Sequence, residues 1–151
     1  MAAAQEARDE LLLDLGNAIG EGGDWTDWLD LPDGALPDGG AAAAADQLAA
    51  DNDSTVTDFA PYEVGGYPGF QVRVRTNYAV GDSIVPGTES KQAEADAVAV
   101  IQPRCAFDLG ADPKQPLELD CDGEPVDIDP EDFDPDDLPD ASVMFSVHLA
   151  E

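Results

Sequence analysis

The sequence predicts a mainly β protein: a small antiparallel β-sandwich or barrel preceded by an N-terminal helical arm, α+β by content. Before Phe59 the apolar residues follow helical spacing, whereas after it apolar and polar residues alternate with the period of two that is typical of half-buried strands. Turn signals separate the later segments, and crossover helices are not predicted between them. We therefore divide the chain into an arm with linker, 1–58, and a β domain, 59–151.

The arm begins with a predicted amphipathic helix over residues 3–19, followed by glycines that end it. Its apolar residues recur at three-to-four spacing: Ala4, Ala7, Leu11, Leu15 and Ala18. Asp24 is then an N-cap signal for a short turn that places Trp25 and Trp28 on one face. These tryptophans either cover the β core of their own chain or dock onto another chain as aromatic anchors, and both interpretations stay open.

A linker and an alanine-rich tract complete the arm. Two LPDG repeats, at 31–34 and 36–39, are tight-turn signals. The tract 41–50 has helix propensity, but Leu48 is its only large apolar residue. The sequence leaves its helical state open.

Three segments of the second part predict strands. Apolar residues alternate with polar ones in Phe70–Arg75 and in Ala141–Leu149. A further strand is predicted over 97–109, where Pro103 indicates a bulge or an edge position.

The loop 110–116 predicts a hairpin, because a single pairing register places apolar side chains on one face of the two strands and acidic side chains on the other. Symmetry about Pro113 pairs Leu109 with Leu117, Phe107 with Leu119 and Cys105 with Cys121. The same register points four acidic side chains outward: Asp108, Glu118, Asp120 and Asp122.

The two cysteines, Cys105 and Cys121, have three interpretations: buried thiols, a disulfide or part of a soft-metal site. Cytosolic thiols normally stay reduced, and two ligands do not complete a metal shell. We therefore favour buried thiols, with a disulfide second. The acidic loop 127–140 lacks the glycine and regular spacing of an EF-hand, so we expect a solvated acidic surface there, with neither metal nor cofactor bound.

Basic residues are scarce in the β region, and three of them are arginines. Arg73 and Arg75 lie on the polar face of one predicted strand, and Arg104 follows Pro103 in another. They could form a pocket for an anionic ligand or dock onto an acidic subunit, but ion pairs with nearby carboxylates are favoured. Catalytic residues are not predicted: His148, the one histidine, lies on a polar strand face without a nucleophile motif to serve.

The charge of the chain excludes several partners. The sequence has 34 acidic and 6 basic residues and a net charge of -28. Proteins bind nucleic acids and membrane surfaces through clustered Lys and Arg, which this chain lacks, so neither is expected as a partner. We expect its acidic surface to attract salt cations without specific binding sites. Such a composition resembles the acidic proteins of salt-in haloarchaea and of their viruses, because molar salt screens the repulsion between like charges.

The size and the arm-plus-β layout resemble small head, neck or tail components of tailed viruses of haloarchaea. This resemblance implies a non-enzymatic structural subunit of a virion: a capsid decoration, connector or tail protein assembled in the host cytoplasm. It assigns no site residues, so we take interface candidates from the sequence itself: Leu11, Leu15, Trp25, Trp28, Arg73 and Arg75. The alternative is a soluble haloarchaeal binding module that recognises a small anion or a protein.

Overall fold

The structure is a computed structural model that describes residues 1–29, 31, 36–79, 81, 86–108 and 110–150. The helices within this part of the chain are α1 (Ala2–Gly20), α2 (Gly39–Asp51) and α3 (Ala141–Met144). The strands are β1 (Ser54–Val64), β2 (Tyr67–Thr76), β3 (Glu94–Pro103), β4 (Cys105–Ala106), β5 (Leu117–Cys121), β6 (Glu124–Ile128) and β7 (Phe145–Ala150). Short 3-10 turns cover Thr26–Leu29, Pro130–Asp132 and Pro135–Asp137. Each helix of the described residues is too short or too polar to cross a membrane.

The strands form two antiparallel sheets. One has the order β1-β2-β3-β7 and the other the order β4-β5-β6. The small antiparallel α+β fold predicted from the sequence is confirmed. Of the two predicted forms, the barrel is wrong for the described strands, because they close no barrel and remain two separate sheets.

Two tight hairpins set the register of the sheets. Gly65 and Gly66 join β1 to β2 with φ of 62° and 84°, and Asp122 and Gly123 join β5 to β6 with φ of 55° and 92°. Positive φ at both central residues is what a type I′ turn requires, and Gly-Gly and Asp-Gly are typical of it. Sequence reasoning missed both turns, although the dipeptides signal them.

Pro103 marks the point where the chain passes from one sheet to the other. It is the last residue of β3, and β4 begins in the second sheet at Cys105. Between them, the Arg104 N–H donates to the Met144 carbonyl oxygen at 2.9 Å. The single disturbed strand predicted over 97–109 is therefore two strands in different sheets, and Leu109 lies outside the described residues.

The N-terminal helix is present, but it lies on the sheets and does not extend away from them. α1 packs against α2 and against β2, β3 and β7. Its buried residues belong to one hydrophobic cluster with residues of both sheets: Ala3, Ala4, Ala7, Leu11, Leu15 and Ile19. The boundary expected between residues 58 and 59 falls inside β1, which begins at Ser54.

The alanine-rich tract is helical because small residues let α2 lie close to α1. Ala41, Ala45 and Ala49 form its buried stripe, while Leu48 is 50% exposed. A Cβ at Gly40 would lie against the side chains of Glu6 and Glu10 of α1, which would have to move to admit it. The second LPDG repeat leads directly into α2, whereas most of the first repeat lies outside the described residues.

The last predicted strand begins later than the alternation indicates, because α3 occupies 141–144. Asp140 caps this turn: its carboxylate accepts from the Ser142 N–H at 2.9 Å and from the Ser142 hydroxyl at 2.7 Å. Met144, expected on the polar face of a strand, is buried. The capping signal therefore overrides the period of two until Phe145.

Candidate functional site

Three of the residues predicted to contact other subunits are core residues of their own chain. Leu11 is 2% exposed, and Leu15 and Trp25 are fully buried. In this fold the three side chains pack within their own chain, because the helix-facing side of the four-stranded sheet needs an apolar cover and α1 supplies it. Trp28 is half-buried and packs against the same cluster.

Trp25 also makes a specific long-range contact. Its indole N–H donates to the Pro113 carbonyl oxygen at 2.8 Å. Pro113 lies in the loop that joins β4 to β5, 88 residues further along the chain. Of the two interpretations left open for Trp25, the structure therefore supports the covering of its own core.

The cysteines form a disulfide across the predicted hairpin. Cys105 of β4 and Cys121 of β5 are directly opposite each other and bonded, so the predicted register is confirmed at this pair. The preference for reduced thiols is wrong here, since neighbouring strands bring the two side chains together on one face. The four acidic residues predicted to point outward are exposed: Asp108, Glu118, Asp120 and Asp122.

The arginines lie among carboxylates. Arg75 Nε lies 2.9 Å from Glu94 Oε1, and Arg104 Nε lies 2.6 Å from Asp122 Oδ2. The favoured interpretation, ion pairing, is confirmed for these two. Arg73 is exposed and faces Asp58 of β1 and Asp96 of β3 across the sheet. An anionic ligand at this position would meet acidic residues on both sides, which opposes its binding.

The acidic loop uses several of its carboxylates to order its own backbone. Asp129 accepts from the Glu131 N–H at 3.1 Å, and Asp134 accepts from the Asp136 N–H at 3.0 Å. At the end of the loop, hydrogen bonds from the Ser142 hydroxyl and backbone N–H lower the pKa of Asp140 from its ordinary value of 3.8. These bonds stabilise the charged form of that carboxyl group.

A cleft of about 620 Å³ lies between this loop and the β5–β6 hairpin. Its walls mix carboxylates with apolar side chains, among them Glu118, Asp127 and Asp132 with Leu117, Ile128 and Phe133. Among the described residues, no group of three or more His, Cys, Asp or Glu is placed to hold a metal ion. The cleft shares the charge of the whole surface, so its charge singles out no ligand.

Among the strands that the structure describes, β7 forms an edge that differs from the other edges. β7 lies at the edge of the four-stranded sheet, and its sequence, FSVHLA, contains no acidic residue and no proline. Leu149 is 57% exposed on it. Exposed edges present unpaired N–H and C=O groups to other chains, so proteins usually protect them with charge, proline or a bulge.

The remaining edges of the described sheets carry such protection. β1 has a register shift between Val56 and Asp58 and also contains Pro61 and Glu63. β6 contains Pro125 and Asp127, and β4 has only two residues. β7 is therefore the open edge, a feature that sequence reasoning missed because it depends on the order of the strands.

The hydrogen-bonding pattern shows which groups of β7 face outward. The Arg104 N–H bonds to the Met144 carbonyl, and Pro103, which has no N–H, is paired with Phe145. Because bonded pairs alternate along an antiparallel ladder, the even-numbered residues of β7 bond to β3. The N–H and C=O groups of Val147 and Leu149 therefore point away from the sheet.

The two faces of β7 have different characters. Val147 and Leu149 pair with Ile101 and Ala99, so their side chains lie on the helix-covered face. His148 is exposed on the opposite face, where its Nε2 lies 2.8 Å from the Ser146 hydroxyl. The opposite face also carries Tyr62 and Tyr67, which are 48% and 39% exposed.

Comparison of this chain with protein-family models, with curated proteins and with solved structures found no match. The geometry of the described residues is therefore the basis for a functional proposal.

Proposed function

We propose that this chain is a non-enzymatic assembly subunit that binds other protein chains through the open edge of β7. One observation carries the proposal: β7 is the only described edge strand longer than two residues that lacks an acidic residue. In a chain with 34 acidic residues, such an edge is where another strand can approach without meeting an acidic side chain of the edge strand itself. This surface replaces the N-terminal arm as the proposed site of assembly.

The proposed setting is a halophilic complex, and more narrowly a virion of a tailed virus of haloarchaea. The net charge of -28 and the small size support it. Between two such chains the repulsion is strong in dilute buffer, whereas at 1 M salt the screening length is only about 3 Å. Assembly through an edge of low charge is therefore compatible with brine.

The experiment compares the wild type with Leu149→Glu by sedimentation in molar potassium chloride, using extracts of the native source. We expect the wild type to sediment in species larger than a monomer. We expect the variant to sediment as a monomer, because its new carboxylate lies on the β7 edge and repels an acidic partner. Leu48→Glu adds the same charge at a leucine of similar exposure, 50% against 57%, on α2. Monomeric sedimentation of the wild type would contradict the proposal.

A monomeric binding module remains the rival function. Its proposed site, the sheet face around Arg73 and Arg75, is exposed. The acidic residues Asp58 and Asp96 on either side of Arg73 make this face a weaker candidate for an anion than the β7 edge is for a strand.

A further inference from the structure

We propose that the partner bound at the β7 edge is a second copy of this chain, paired antiparallel to the first about a twofold axis at His148. This inference rests on the proposed function and names the partner at the same site. The four-stranded sheet of one copy and the four-stranded sheet of the other then join into one continuous eight-stranded sheet across the axis.

The register follows from the groups that β7 leaves free. The Phe145 N–H is already bonded to the Ala141 carbonyl oxygen, so Val147 and Leu149 are the residues with both groups directed outward. Antiparallel pairing of Val147 with Leu149 of the partner subunit, and the reverse, uses all of these groups in two bonded pairs. His148 then faces its own copy at the non-bonded position between them.

The charge distribution favours a second copy at this edge. The edge strand β1 carries Asp58 and Glu63, and the edge strand β6 carries Glu124 and Asp127, so pairing either strand with a copy of itself would place acidic residues of both copies along one interface. The six residues of β7 include no acidic residue. Two chains of net charge -28 can therefore approach closely at β7 when salt screens the rest of their surfaces.

Apolar contact adds to the backbone pairing. Val147 and Leu149 lie on the same face of β7, so the twofold axis would place four such side chains side by side. Leu149, which is 57% exposed in the single chain, would gain a cover on its open side.

The register is tested by cross-linking of His148→Cys under mild oxidation in molar salt. Residues at a non-bonded antiparallel pair have Cα atoms about 4.5 Å apart, within reach of a disulfide. The native cysteines are already bonded to each other, so the new thiol is the only free one. We expect a covalent dimer from His148→Cys and none from the control Ser146→Cys, which pairs with Ala150 of the partner subunit; equal yields from both would overturn the register.

The partner is tested by the molar mass of the purified chain in molar salt. We expect twice the 15.8 kDa of one chain for the wild type and for Leu48→Glu, and a single chain for Leu149→Glu and for Val147→Pro, which lacks the outward N–H. Circular dichroism of each variant reports that it is folded.

The outcomes separate the two proposals. If the purified wild type is a monomer but enters larger complexes in native extracts, and Leu149→Glu does not, the partner is a different chain. The assembly function then stands, and the second copy is excluded. If the wild type is a monomer in both settings, both proposals fail.

Discussion

At the scale of single residues, Trp25 connects the N-terminal segment to the β4–β5 loop. It is fully buried, and its indole N–H bonds to the Pro113 carbonyl oxygen in the β4–β5 loop. The bond is part-buried, and a hydrogen bond of this kind contributes about 0.5–1.5 kcal/mol, so Trp25 holds the loop to the N-terminal segment as well as filling space.

We expect Trp25→Phe to lower the free energy of unfolding by about 2–4 kcal/mol, because the smaller ring leaves a void and removes the donor. Trp28→Phe is the matched control, since Trp28 is only half-buried, and we expect the smaller loss from it. Urea denaturation in molar salt measures both. Equal losses of unfolding free energy from the two variants would show that the deeper burial and the hydrogen bond of Trp25 add nothing to stability.

Gly69 is the second residue whose identity the packing requires. A Cβ there would collide with the backbone oxygen of Ala99 and lie 2.7 Å from the Cα of Val100 on β3. Because the obstacle is backbone, a side chain can be accommodated only by moving β2 away from β3.

We expect Gly69→Ala to lower the free energy of unfolding by about 1–3 kcal/mol. Gly39→Ala at the start of α2 is the control, since a Cβ there meets nothing within 4 Å, and we expect it to leave stability unchanged or slightly higher. Thermal unfolding of the two variants gives the comparison. A Gly69→Ala variant as stable as the wild type would mean that the strands are not held at this spacing.

At the scale of elements, sequence patterns predicted those strands whose faces are unambiguous. Alternation located β2, and two-sided patterning fixed the pairing of Cys105 with Cys121. The same alternation failed at 141–144, where the Asp140 cap stabilises a helical turn. Local capping and turn chemistry compete with periodicity, and a pattern of apolar residues does not show which prevails.

The Cys105–Cys121 disulfide joins β4, the shortest strand, to its sheet. Closing a loop of this size, with a sequence separation of 16, is worth about 3 kcal/mol. We expect the double variant Cys105→Ser, Cys121→Ser to lose about 2–4 kcal/mol of unfolding free energy. Reductant should destabilise the wild type by a similar amount and leave the double variant unaffected; an unaffected wild type would mean that the bond does not stabilise the fold.

At the scale of the whole molecule, the sequence alone does not show whether an apolar side chain is buried within its own chain or against another chain. Leu11, Leu15 and Trp25 were correctly recognised as apolar side chains that need a partner, but the partner is their own sheet. The open edge of β7 could not be found in the same way, because FSVHLA is an edge only once β3 is known to be its single neighbour. Sequence reasoning therefore predicted the fold class, but it could not show that these three side chains pack within their own chain or that β7 forms an edge.

The charge of the chain has a direct consequence for its stability. At net charge -28, lowering the salt from about 1 M to 0.1 M lengthens the screening distance from about 3 Å to 10 Å and exposes the folded state to self-repulsion. We expect the free energy of unfolding to fall by on the order of a few kcal/mol. A variant with Glu118→Lys and Asp120→Lys, both exposed on β5, should fall less. Salt-independent thermal unfolding of the wild type would contradict this explanation.

The most direct test of the account in which two copies pair through β7 is light scattering of the purified chain in molar potassium chloride, with Leu149→Glu measured beside it. The account predicts twice the 15.8 kDa chain mass for the wild type and a single chain mass for the variant. A folded wild type that stays at one chain mass across the accessible concentrations, or a Leu149→Glu variant that still pairs, would contradict it.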